Sequence, residues 1–174
     1  YNNGRKIVRD SNGTIHLLYS SSTSGANGDI YHVAMPSGSD NLISNVSSSS
    51  EVNDASSSLA IDSSNNLHAV WGDGTPGAWQ NIWFRKYTSS ASTWGSTRTR
   101  LNTAGKYGSN PTVLASGANV YALWYGAENS PASVGLCMNY STDSGSTWAG
   151  SAEKKAISGT GTVLDADIDS SSDL

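Results

Sequence analysis

Three segments of this chain repeat, and the repeat limits the possible folds more than any other feature. Lys6–Tyr19 (KIVRDSNGTIHLLY), Leu59–Trp71 (LAIDSSNNLHAVW) and Thr112–Trp124 (TVLASGANVYALW) share one pattern. Each is an alternating apolar run, a polar turn, a second apolar run and a closing aromatic. The closing aromatics Tyr19, Trp71 and Trp124 stand 52 and then 53 positions apart. Period-two alternation around a turn of Asn, Asp, Gly and Ser reads as a β-hairpin. A period of about 50 residues carrying several strands signals a propeller blade, not a helical repeat.

The remainder of each unit supplies two more strands. Third strands are expected at Ile30–Met35, Asn81–Tyr87 and Val134–Tyr140, and fourth strands at Leu42–Val46, Ser96–Leu101 and Glu153–Ile157. The expected fold is an all-β propeller of four-stranded antiparallel blades, about 1–50, 51–106 and 107–160. Residues 161–174 begin a fourth blade, because Val163–Leu174 aligns with the segment that ends at Leu67. Closed propellers hold roughly four to eight blades. The chain is therefore expected to belong to a six- or seven-bladed ring. Further blades would come from the same protein or from another chain and cover its open sheet edges. Its start at Tyr1 fits a processed or incomplete product.

One turn stands out. In Tyr140-Ser141-Thr142-Asp143-Ser144-Gly145-Ser146-Thr147-Trp148, Asp143 can accept backbone N–H bonds and Gly145 can take a positive φ. Thr147 suits the departing strand, and Trp148 can fold its ring over the hairpin. Equivalent turns decay: Tyr87–Trp94 keeps only Thr93-Trp94, and Met35–Asp40 keeps almost nothing. The residues Ser141, Asp143, Gly145, Thr147 and Trp148 resemble the Asp-box, or bacterial neuraminidase repeat, of sialidase-like β-propellers. The resemblance implies a structural turn. In the family, catalysis uses an arginine triad, a Tyr–Glu nucleophile pair and an Asp acid/base. None of these carries over: Gly4-Arg5-Lys6-Ile7 does not match the family's Phe/Tyr-Arg-Ile-Pro motif, and Arg85, Arg98 and Arg100 fall in or beside outer strands.

Composition narrows the partners. Ten basic and fourteen acidic side chains give a net charge of −4, with the basic residues scattered. No stripe tracks a phosphate backbone, so nucleic acid is not an expected partner. No apolar run approaches the roughly 20 residues of a spanning helix. Cys137, the single cysteine, sits in an apolar run and reads as a buried thiol. Low charge with abundant Ser, Thr and Asn fits an extracellular or cell-surface location. Three short glycosylation sequons, at Asn12, Asn45 and Asn139, are too common by chance to add weight.

Blade geometry puts the loops joining strands 2–3 and 4–1 on one face, the mouth, and the Asp-box turn on the other. The mouth candidates are Asp54, Asp73, Trp79, Gln80, Tyr107, Tyr125, Glu128 and Asn129. Flat aromatic faces beside amides and carboxylates are what sugar rings and hydroxyls require. His16 and His68 share one repeat position and read as architectural, while His32 stands alone in sequence. Asp165, Asp167 and Asp169 alternate on one face, either a cation site or a wet channel wall. No cofactor, metal site or catalytic residue is expected. The expected function is glycan recognition. The alternatives are a structural or protein-interaction propeller, and a fragment of an exo-sialidase whose catalytic groups lie elsewhere.

Overall fold

The computed structural model describes residues 4–21, 28–35, 41–42, 54–74, 81–127, 134–149, 154–158 and 166–167. Its strands form three antiparallel sheets in sequence order. The first holds β1 (Ile7–Arg9), β2 (Ile15–Ser21), β3 (Asp29–Met35) and β4 (Asn41–Leu42). The second holds β5 (Ala55–Ile61), β6 (Leu67–Asp73), β7 (Asn81–Thr88), β8 (Thr93–Trp94) and β9 (Thr99–Arg100). The third holds β10 (Gly108–Ser116), β11 (Asn119–Ala127), β12 (Val134–Ser141) and β13 (Lys154–Ser158). No sheet closes into a barrel among the described residues.

The fourth strand expected at Ser96–Leu101 is split. Thr93–Trp94 pairs with the Tyr87–Thr88 end of β7, and Thr99–Arg100 pairs with its Trp83–Phe84 end. Between the pieces Gly95 still donates its backbone N–H to the Lys86 carbonyl, and Gly95, Ser96 and Thr97 are exposed. The repeat persists in finer detail. Both β5 and β10 carry an irregularity before their apolar run, with Ser56 and Asn110 at φ of 57° and 50°.

Alternating side chains give each sheet two apolar faces, so consecutive sheets stack. Val8, Leu18 and Ile30 of the first sheet pack against Leu59, Leu67, Ala69, Trp71 and Trp94 of the second. The reverse face of the second sheet presents Ala60, Val70, Ile82 and Phe84, with Leu101 beyond β9. This layer meets Val113, Val120, Ala122, Trp124 and Cys137 of the third sheet. Strand β6, between both neighbours, is buried along its whole length. Each fully buried Leu, Ile or Phe in these layers contributes about 1.5–3 kcal/mol. The layers therefore hold the sheets together where single hairpins would be marginal.

Candidate functional site

The hairpin turns share one side of the stack. Ser144 donates its backbone N–H to the Ala118 carbonyl, and Ser89 donates its own to Asn66 Oδ1, so 3–4 turns rest on the 1–2 turns of their own sheets. Asn65 exchanges hydrogen bonds with Ser11, linking the first two 1–2 turns.

On that side the Ser141–Trp148 turn is a closed hydrogen-bond cage. Asp143 Oδ2 accepts from the Thr147 hydroxyl at 2.6 Å, and Oδ1 accepts from the Thr147 N–H and the Ser141 hydroxyl at 2.7 Å each. Ser141 Oγ in turn accepts from the Gly145 N–H at 2.9 Å. These donors, Thr147 first, hold the Asp143 carboxyl down at about 2. Three of the roughly four acceptor sites of this carboxylate are taken by its own turn, which fits a structural role for Asp143. Gly145, at φ 80°, meets the next layer: a Cβ there would overlap the Phe84 ring. Trp148 completes the contact edge-on to Phe84, centroids 4.8 Å apart.

A second kind of aspartate turn recurs between strands 1 and 2. Asp10 Oδ1 accepts from the N–H groups of Asn12 and Thr14, and Asp62 Oδ1 accepts from those of Ser64 and Asn66. The other oxygen faces the histidine six residues on. His16 Nε2 lies 3.6 Å from Asp10 Oδ2, and His68 Nε2 lies 3.1 Å from Asp62 Oδ2. Burial alone would raise the Asp62 carboxyl, but bonds from His68 and Asn66 outweigh it and bring it to about 2. His16 and His68 thus occupy the architectural place their repetition implies. His32 is not isolated. Its Nε2 meets His16 Nδ1 at 3.0 Å, and its Nδ1 accepts from the Trp94 indole at 3.2 Å. Sequence reading missed this bridge, although the signal was present. His32 and Phe84 stand 52 apart, and Trp94 and Trp148 stand 54 apart, at matching repeat positions.

The mouth candidates separate into two groups. Asp54 and Asp73 are buried and turned inward. Asp54 accepts from the Trp71 indole at 3.2 Å. Asp73 accepts from the Asn81 N–H at 2.9 Å, from the Asn81 amide, and from the Trp83 indole. Tyr107 and Tyr125 are half-buried at the end of the third sheet where β10 begins and β11 leaves, Tyr125 opposite Ser109. Trp79, Gln80, Glu128 and Asn129 lie outside the described residues. Asp165 and Asp169 do as well, which leaves only Asp167 of that triplet described.

The arginines do not converge. Arg85 Nε donates to the Gly95 carbonyl, Arg98 lies over the Trp83 ring at 3.9 Å, and Arg100 is exposed. An open groove of about 570 Å³ runs beside the cage between the second and third sheets, past Arg100, Asn102, Asn139, Thr147 and Trp148. The two amides are occupied: Asn102 bonds the Ile82 N–H and the Lys106 carbonyl, and Asn139 bonds the Leu101 carbonyl and the Tyr140 N–H. Among the described residues, no three His, Cys, Asp or Glu side chains gather as a metal site. No helix of the described residues is long and apolar enough to cross a membrane.

No protein-family model matches the chain, and no curated protein matches it in sequence.

Proposed function

We propose that the chain is a portion of a sialidase-like β-propeller that recognises glycans at the extracellular or cell surface. The observation that carries this reading is the placement of Tyr107 and Tyr125 at the end of the third sheet where β10 begins and β11 leaves. They lie away from the Asp143 cage, and both residues are half-buried among the described residues. A partly exposed aromatic beside polar groups is the minimal platform for a sugar ring. The hydrogen-bonded turn around Asp143 and the stack of three antiparallel sheets support the architectural part. Further blades would continue that stack. Ile7, Ile15 and Met35 are exposed on the first sheet's outer face, at the positions where Leu59, Leu67 and Tyr87 of the second sheet meet a neighbour.

The runner-up is a structural or protein-interaction propeller, favoured by one observation. Asp54 and Asp73, two of the polar mouth candidates, are consumed by indole N–H groups inside the fold. The third reading is a fragment of an exo-sialidase with its catalytic groups elsewhere.

A glycan array combined with a fluorogenic sialoside assay separates the three. Binding without turnover is the expected result. Silence in both would move the assignment to the interaction propeller, and turnover would move it to the hydrolase. Tyr125→Ala should weaken glycan binding by about 1–3 kcal/mol as a lost stacking platform. Unchanged affinity would remove that residue from the site.

A further inference from the structure

Asp10, His16, His32 and Trp94 form a continuous polar chain through the buried joint of the first two sheets. The indole at one end can only donate. His32 Nδ1, 3.2 Å from Trp94 Nε1, must therefore be a bare acceptor. The proton of neutral His32 then sits on Nε2 and is donated to His16 Nδ1 at 3.0 Å. His16 in turn carries its proton on Nε2, facing the Asp10 carboxylate at 3.6 Å. The donor at one end and the carboxylate at the other fix both tautomers.

No singly protonated form of the pair satisfies the chain. An extra proton on His32 Nδ1 opposes the Trp94 N–H. An extra proton on His16 Nδ1 opposes the His32 Nε2–H. Moving the His32 proton to Nδ1 relieves the second conflict and recreates the first. With His32 1% and His16 6% exposed, water cannot easily reach either contact to resolve it.

We infer that this array is an acid-sensitive joint, holding the first sheet on the second while both histidines are neutral and loosening when either gains a proton.

The surroundings offer little compensation. Tyr87 of β7 packs beside both imidazoles, with ring centroids 6.2 and 5.7 Å away. On the same strand Arg85 directs its Nε to the Gly95 carbonyl. Lys6, leading into β1, donates to the Ser57 carbonyl, and Arg9 of β1 is exposed with its guanidinium beside Gly13. Asp10 is the one carboxylate directed at the pair among the described residues. Burial, then the neighbouring His16, brings His32 down to about 4. A histidine neutral in the folded state but protonatable when unfolded leaves stability intact above about pH 6.5. That stability is lost as pH falls from there toward 4.

The joint between the second and third sheets supplies the control. Phe84 stands where His32 stands, so the full chain should be compared with its His32→Phe variant. Thermal unfolding of each at pH 7.5 and pH 4.5 is the measurement. The wild type should lose on the order of 5 °C more than the variant on acidification. Equal losses would overturn the proposal. Should His32→Phe fail to fold, nitrogen-15 NMR of the wild-type histidines at pH 7.5 decides. Both His16 and His32 must show Nε2–H with bare Nδ1, and an Nδ1–H form of His32 would overturn it.

Discussion

The two sheet-to-sheet joints are built on one plan and completed differently. In the first, the Trp94 ring from the 3–4 turn meets His32 of the preceding sheet at 5.3 Å, edge to face. In the second, Trp148 meets Phe84 at 4.8 Å in the same arrangement. Behind each sits a stacked histidine, His16 at 5.2 Å from His32 and His68 at 6.0 Å from Phe84. Replacing one imidazole by phenyl changes the hydrogen-bond account. His32 serves both Trp94 Nε1 and His16 Nδ1. The equivalent atoms of the second joint, Trp148 Nε1 and His68 Nδ1, are buried without a partner among the described residues. The first joint is polar and satisfied, hence proton-sensitive. The second is apolar and carries two unmade bonds, each costing about 1–3 kcal/mol of desolvation. It has the cage around Asp143 to fix its turn, which the Ser89–Ala91 turn of the first joint lacks. That 3-10 turn makes do with Ser92 at φ 50°.

The largest expected difference comes from removing the two tryptophans. Trp94→Ala should cost about 3–5 kcal/mol, since the ring is 9% exposed and takes a hydrogen bond with it. Trp148→Ala should cost roughly 2–3 kcal/mol, because that ring is partly exposed and has no bond to lose. Urea unfolding of both variants checks the order, and a costlier Trp148→Ala would break the comparison.

Gly145→Ala should cost about 2 kcal/mol, combining a positive φ with overlap of the Phe84 ring. Pairing it with Phe84→Leu sharpens the attribution. A double-mutant cycle should return a favourable coupling, since a smaller side chain relieves the overlap, and zero coupling would leave backbone strain as the whole effect.

Strong acid should act on the turn carboxylates after the first joint has already responded. Asp62 and Asp143 are both held at about 2, so their stabilisation is complete above about pH 4 and lost as pH falls toward 2. For Asp62 this is about 1 kcal/mol, allowing for solvent screening. Asp62→Asn should flatten that limb of the pH–stability curve and leave the limb between pH 6.5 and 4 in place.

The smallest change in stability is expected from Phe84→His, which would give His68 Nδ1 and Trp148 Nε1 the bridge that His32 provides. Gained bonds of about 1 kcal/mol each offset lost apolar packing, so stability at pH 7.5 should shift by no more than about 1 kcal/mol. The informative outcome is acquired acid sensitivity between pH 6.5 and 4. A variant as acid-tolerant as the wild-type second joint would count against the array as the source of acid sensitivity, since Asp62, His68 and Trp148 supply the other members of the same array.

The strands were readable because their signal is local. The short apolar runs at Ile7–Arg9, Leu67–Asp73 and Asn119–Ala127 sit beside polar turns and are read within a few residues, and the Asp143 turn closes within a few residues. The fourth strand of the second sheet, expected over Ser96–Leu101 and formed there only at Thr99–Arg100, shows the limit. Ser96–Leu101 has no strong alternation, and pairing with β7 decides where strand forms. For the expected mouth residues, residue type was readable but side-chain direction was not. Asp54 looks like a ligand group in sequence and is turned inward by the Trp71 indole, whereas the corresponding Trp124 N–H has no partner among the described residues.

The sequence by itself determined an all-β chain of repeated hairpins with a well-formed aspartate turn. Only the tertiary structure decided which face of each sheet is covered and that His32 joins His16 to Trp94, 62 residues further along the chain. The reason is physical. A turn is closed by bonds between near neighbours, but a buried polar chain exists only once two sheets have excluded water from between them.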